Sequence, residues 1–245
     1  MILRLCAIEL LKVRRSLVLL MTLVCPLAVV AMVFGMNLRN AAPREATPEQ
    51  WNLMWAGVSA MWSWFMLPLY VALATSLING NEHRNQAWRL MLSLPIQRWE
   101  LYAAKAAVAC LLMVSAHLVL LIAVVGLLFT LGAIGYPLAG AFDVNPRAML
   151  WAAPVAALPM LAVQHALSWR LRSIVPPLAV AVVATFVSIQ LGRSDLWPLL
   201  PWTYPLISTN AGDAALRLDA LALALGLAVV LFPLGAWWAG RRDVV

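Results

Sequence analysis

Apolar runs of about twenty residues, the length an α-helix needs to cross a bilayer, recur through this chain and constrain it more than any other feature. They cover residues 16–36, 53–78, 101–131, 149–169, 178–191 and 218–239. Membrane-spanning strands would instead show segments of about ten residues with alternating polarity, and the sequence has no such pattern. Of the 245 residues, 64% are hydrophobic and only 11% charged; mean hydropathy is +0.89. A soluble domain carries about 25% charged residues. The expected fold is therefore an all-α membrane protein, six transmembrane helices in a single domain over 1–245. The fifth run is short for a full crossing. Pro68 predicts a kink in the second span, and Pro154 and Pro159 predict breaks in the fourth.

Three segments between the runs have characters of their own. Residues 1–15 place Arg4, Lys12 and Arg15 on one helical face and Cys6, Leu10, Val13 and Leu17 on the other, which suits an amphipathic helix lying in the membrane interface. The run that follows is too long for the apolar core of a signal peptide, and no small-x-small cleavage site ends it. It is expected to be a retained first span. Residues 79–100 form a polar island between the second and third spans. Asn79-Gly80 predicts a turn and Asn81 a cap, with Ala87, Leu90, Met91 and Leu94 on one face of a short helix that Pro95 stops. Such a helix, parallel to the membrane and sticky on one side, has the form of a docking handle. Residues 192–217 include Trp197, Leu199, Leu200, Trp202, Tyr204 and Leu206. They are too apolar for a solvated loop and are expected to be short helices tucked into the outer leaflet or re-entrant beside the bundle. Trp51, Trp55, Trp99, Trp169, Trp237 and Trp238 are expected to anchor at membrane interfaces. Lys105 is expected to snorkel toward the boundary.

Basic residues give the orientation. Twelve of the seventeen lie within 1–15, 79–105, 170–172 and 241–242; the opposite loops hold Arg39, Arg44, Arg147, Arg193 and Arg217. The positive-inside bias places the first set in the cytoplasm of a bacterial cell, with both termini and the polar island there and the spans in the inner membrane. The net charge of +7 is explained by this bias. The arginines are scattered and form no basic stripe of the kind nucleic acid needs. Cys6, Cys25 and Cys110 sit in or beside apolar helices, so no disulfide framework is suggested.

Few residues offer chemistry. A phosphate-binding loop needs Gly-Lys-Ser/Thr, yet Leu11 precedes Lys12 and Ala104 precedes Lys105, so no nucleotide site of that type is expected. Gly57-Val-Ser59-Ala60 resembles a serine turn, with His117 and His165 in other spans, but Ser59 and His165 should lie toward opposite membrane faces and out of bonding reach. Metal binding would want clustered ligands, and none is expected. His117, Gln164, His165 and Gln190 are polar residues inside spans, candidates for a pathway or for interhelical hydrogen bonds. No Asp or Glu lies deep within the runs, which argues against proton- or ion-coupled transport.

Two stretches carry a family resemblance. Glu9-Leu-Leu-Lys12-Val-Arg-Arg15-Ser16, followed by an apolar run with Pro26, resembles the opening of type-2 ATP-binding-cassette (ABC) permeases of bacteria. Glu82, then Trp88-Arg-Leu-Met-Leu-Ser-Leu-Pro95, Arg98, Tyr102 and Lys105, resembles the cytoplasmic coupling helix of that family. The resemblance implies an interfacial elbow helix containing Glu9, Lys12, Arg14 and Arg15, and outer re-entrant helices before the sixth span. It places Glu82, Arg84, Trp88, Arg89, Leu94, Pro95 and Arg98 at the contact with a separate ABC ATPase subunit, where ATP-Mg would bind. This chain would then be no enzyme and hold no cofactor. It would be an exporter's permease, paired with a second copy or sister permease in membrane lipid, moving an amphipathic, lipid-like or peptide substrate outward. Chain size looks most like the small permeases of lantibiotic immunity or bacitracin resistance. An intramembrane hydrolase and a non-transporting membrane scaffold are the rival readings.

Overall fold

A computed structural model describes residues 2–14, 16–40, 47–84, 96–143 and 148–241, with backbone alone at 37–40, 81–84 and 148–149. The described residues form nine α-helices and no strand. Helix α1 covers Ile2–Val13 and α2 covers Leu17–Asn40. Next, α3 (Pro48–Ala60) passes through a wide π-turn, Met61–Met66, into α4 (Leu67–Arg84). Helix α5 is Arg98–Ala133, and α6 is Ala153–Arg170, entered through a second π-turn at Ala148–Ala152. Helix α7 is Val175–Leu191, α8 is the short Tyr204–Asn210 and α9 is Ala214–Arg241.

Five segments are long and apolar enough to cross a membrane: Leu17–Met36, Pro48–Gly80, Arg98–Ala133, Leu150–Arg170 and Ala214–Arg241. At a rise of about 1.5 Å per residue, α5 is about 54 Å long and must project beyond a hydrocarbon layer of about 30 Å. Helix α7 is apolar but only 17 residues long.

Prolines shape the spans in a way their positions alone did not give. Each π-turn lies just ahead of a proline, Pro68 and Pro154 respectively. A proline has no N–H to donate and its ring crowds the carbonyl four residues back; an extra residue in the turn makes room for both. Accordingly the N–H of Leu67 reaches back to the Trp62 carbonyl, five residues away. The expected break at Pro159 does not occur, because α6 continues through it with one rung missing. Pro176 and Pro177 lie inside α7 rather than before it, in the first turn where a missing N–H costs nothing.

Helix α5 is the spine, with α1, α2, α4, α6 and α9 all packed on it. Apolar driving force between helices is weak in lipid, so close approach through small side chains substitutes for it. Ala104, Ala109 and Ala116 of α5 are buried, as are Ala156 of α6 and Ala220 and Ala224 of α9. A polar rivet joins three helices: Thr22 of α2 lies 2.9 Å from the Tyr70 hydroxyl of α4, which donates to the Leu112 carbonyl of α5 at 3.0 Å.

The end of the bundle remote from Arg14, Arg98, Arg170 and Arg241 is closed by the loop after α5. Trp51 and Trp55, expected at an interface, are instead buried; their indole N–H groups donate to the carbonyls of Pro137 (3.2 Å) and Ala141 (2.9 Å). An amphipathic ring needs a partner for its N–H when buried, and the loop supplies it. Gly140 lets the loop seat, with φ of +78° and Pro48 only 2.5 Å from where a Cβ would stand. Helix α8 lies at this end against α3, α6 and α9, where Asn210 donates to Ser59 at 3.2 Å. Gly140→Ala is expected to cost about 2–4 kcal/mol, from left-handed strain plus the clash. Gly135→Ala, whose φ is also positive but whose Cβ would meet open space, should cost only about 1–2 kcal/mol. Thermal unfolding in detergent measures both; equal losses would show that the loop is not seated on Pro48.

Candidate coupling junction

The polar island expected to dock a partner begins where α4 ends and finishes where α5 begins. Glu82 and Arg84 are described by backbone alone, as the last turn of α4. Trp88, Arg89, Leu94 and Pro95 lie outside the described residues, as does Arg15 of the elbow. Arg98 is the first residue of α5, behind a capping box formed by Gln97 and Glu100. The structure does describe how the two ends of the island are fastened to the bundle.

The first fastening is ionic. On α1 the buried side chains are Leu5, Glu9 and Val13, a stripe four residues apart. Glu9 accepts from the Lys105 ammonium of α5 at 2.7 Å and from Lys12 at 2.6 Å. Lys105 also donates to the Ile78 carbonyl near the end of α4, at 3.1 Å. One ammonium thus joins α1, α4 and α5. The expectation that Lys105 snorkels is overturned: its side chain is 0% exposed and Glu9 is 3% exposed. An ammonium with a carboxylate in reach has no need to find the membrane boundary. Leu17, expected on the apolar face of α1, belongs to α2 and is exposed, because the first helix stops at Val13.

The second fastening is a network of neutral groups. The Asn79 amide of α4 donates to Ser168 of α6 at 2.7 Å and lies 3.2 Å from His165 Nδ1. His165 Nε2 stands 3.2 Å from the Tyr102 carbonyl of α5, and Ser168 donates to the His165 carbonyl at 3.1 Å. A carbonyl can only accept, so Nε2 bears the ring proton and Nδ1 accepts from Asn79. Every contact is then made with a neutral imidazole. The turn expected at Asn79-Gly80 is absent and α4 runs on to Arg84. Asparagine turns a chain by bonding its own backbone; here both its N–H bonds go to α6. The Tyr102 ring packs 4.4 Å from His165 and 5.3 Å from Trp169. Trp169 is therefore buried in the junction and not at a membrane interface. Helix α9 joins through Gly235, where a Cβ would lie 2.2 Å from the Tyr102 hydroxyl.

The other polar candidates separate. His117 accepts from the Trp62 indole at Nε2 (3.0 Å) and bonds the Met113 carbonyl through Nδ1 at 2.8 Å. It is an interhelical tie between α5 and the π-turn, remote in sequence from the junction. Gln164, beside His165, is 0% exposed and finds no partner for either amide atom among the described residues. Gln190 is exposed near the end of α7. Ser59 is paired with Asn210, and both span histidines are bonded elsewhere, so the serine turn has no base against it. Among the described residues no three His, Cys, Asp or Glu side chains gather into a metal site.

The junction links α1, α4, α5 and α6 through buried polar contacts. Any displacement of residues 79–105 reaches α4 and α5 through their backbones, α1 through Glu9, α6 through His165 and Ser168, and α9 through Gly235. Sequence reading missed the pairing of Glu9 with Lys105, although a carboxylate on a buried stripe is a signal that a cation faces it. Glu9→Gln should lower stability by about 3–5 kcal/mol, because a buried ammonium loses the carboxylate that accepts from it at 2.7 Å. The double replacement Glu9→Leu with Lys105→Met should restore most of that loss. Chemical or thermal unfolding in detergent decides it; a single variant within about 1 kcal/mol of the parent would remove the pair from this role.

Comparison with known proteins supplies the context for this junction. A family model described as ABC-2 family transporter protein matches residues 5–188, from α1 to the end of α7. No curated protein matches the chain.

Proposed function

Because the chain belongs to the ABC-2 family of transporter proteins, we propose that it is the permease of an exporter whose work is done by ATP hydrolysis on a separate subunit. The chain is a multi-pass membrane protein and a permease component of an ABC transporter. The finer reading has six spans, with α7 the short one, α1 as the interfacial elbow and α8 as an outer re-entrant element. Both termini and residues 79–100 face the cytoplasm, and the membrane is the bacterial inner membrane. Two permeases, identical or sister chains, enclose the pathway, each docked on one ATPase. Apolar walls with few charges support an amphipathic, lipid-like or peptide cargo. The close spacing of its loops favours the small permeases of lantibiotic immunity or bacitracin resistance.

The observation that carries this reading is the position of the junction within the family match. Residues 79–105 lie inside the matched range, and both ends of that segment are fastened to the bundle by buried polar contacts. Closure of the ATPase subunits would press on Glu82, Arg84, Trp88, Arg89, Leu94, Pro95 and Arg98. Fastened ends convert that push into a rigid-body tilt of α1, α4, α5 and α6, the kind of movement packed helices allow. The scaffold reading gives no reason for this fastening, and the hydrolase reading lacks a base beside Ser59. Trp88→Ala combined with Arg98→Glu is expected to abolish co-purification of the partner ABC ATPase subunit, while leaving thermal unfolding of the permease unchanged. Undiminished co-purification and transport would refute docking at this segment.

A further inference from the structure

Helices α6 and α9 pack more extensively on each other than any other pair among the described helices, yet near their basic ends they leave an open groove of about 350 Å³ between them. Ala162, Ala166 and Leu167 line one wall, and Leu231 and Leu234 the other, with no carboxylate in the lining. Trp237 and Trp238 stand at its mouth, both exposed. Each carries a cation: the Arg170 guanidinium sits 3.8 Å over the Trp238 ring and that of Arg241 sits 4.0 Å over Trp237.

A guanidinium over an indole uses its flat face there and keeps its N–H edges for an acceptor. At Arg170 one terminal nitrogen has no hydrogen-bond partner among the described residues, which leaves a donor for a water or an anion. Leu234 in its lining and Val230 one turn earlier on α9 are exposed, an apolar surface of the kind acyl chains cover. Cations and indoles at one end of an apolar slot match one kind of molecule, an anionic amphiphile whose charge lies at the level of the headgroups.

We propose that this groove is a binding site for an anionic phospholipid, its acyl chain along α6 and α9 and its phosphate on Arg170 and Arg241. The site goes beyond the permease reading, and its test uses neither ATP nor an ATPase. Its failure would leave that reading standing.

The full chain is reconstituted in phosphatidylcholine vesicles containing a minor share of phosphatidylglycerol with brominated acyl chains, which quench indoles they touch. Quenching is expected at mole fractions where brominated phosphatidylcholine gives little. Arg170→Gln or Arg241→Gln should weaken the preference about fivefold each, and the pair about twenty- to thirtyfold. Arg170→Lys, which keeps the charge and guards against misfolding, should retain most of it. Ala166→Phe, which fills the groove and leaves both arginines, should also reduce it severalfold. Equal quenching by the two lipids, a preference that survives loss of both arginines, or an Ala166→Phe variant that behaves as the parent would overturn the proposal. So would crosslinking of two copies through Ala166→Cys without any lipid preference, which would give the groove to a second copy.

Discussion

A lysine and a glutamate that have left water together hold α1, α4 and α5 in register. Removing two charges from solvent costs several kcal/mol each, and close pairing offsets this only with good geometry and further hydrogen bonds. Lys105 has both, with Glu9 at 2.7 Å and the Ile78 carbonyl at 3.1 Å. Such a pair adds little net stability compared with well-packed apolar residues. Its value is directional: α1 must sit where Glu9 meets Lys105, and α4 must pass where its Ile78 carbonyl meets the same ammonium.

The rest of the junction follows the same logic with neutral groups. Asn79, His165, Ser168 and the Tyr102 carbonyl form a chain whose proton positions are all accounted for by one tautomer. Away from it, the spans are softened where prolines demand it, by π-turns at Met61–Met66 and Ala148–Ala152. The bundle thus combines a fastened end, which meets the segment between α4 and α5, with spans that already contain wide turns. That combination suits a subunit driven from outside. It belongs to a family of ABC transporter permeases.

The crossing helices were legible because their signal is long and compositional: runs of apolar residues give spans whatever the packing. The ties between helices were less legible, since they depend on which side chains meet. Lys105 read as a snorkelling cation because its partner, Glu9, is 96 residues away in sequence. Asn79 read as a turn because Asn-Gly ordinarily is one, until α6 offers its amide better bonds. Trp51, Trp55 and Trp169 read as interface anchors, and a buried indole with a carbonyl or a ring against it has the same composition. His117 and His165 read as polar residues inside spans, candidates for a pathway or for interhelical hydrogen bonds; the partners they bond, Trp62 and Asn79 among them, were not visible.

The most direct test of the junction as a transmitting element is a distance. Spin labels at the exposed positions Leu3 of α1 and Trp99 of α5 would report whether the two helices move as one in the permease–ATPase complex. The predicted result is a single narrow distance that is the same with and without ATP in the parent protein, and a broadened one when Glu9 and Lys105 are replaced by Leu and Met. A distance that changes with ATP in the parent, or one indifferent to loss of the pair, would contradict the claim that Glu9 and Lys105 carry motion from the docking segment into the bundle.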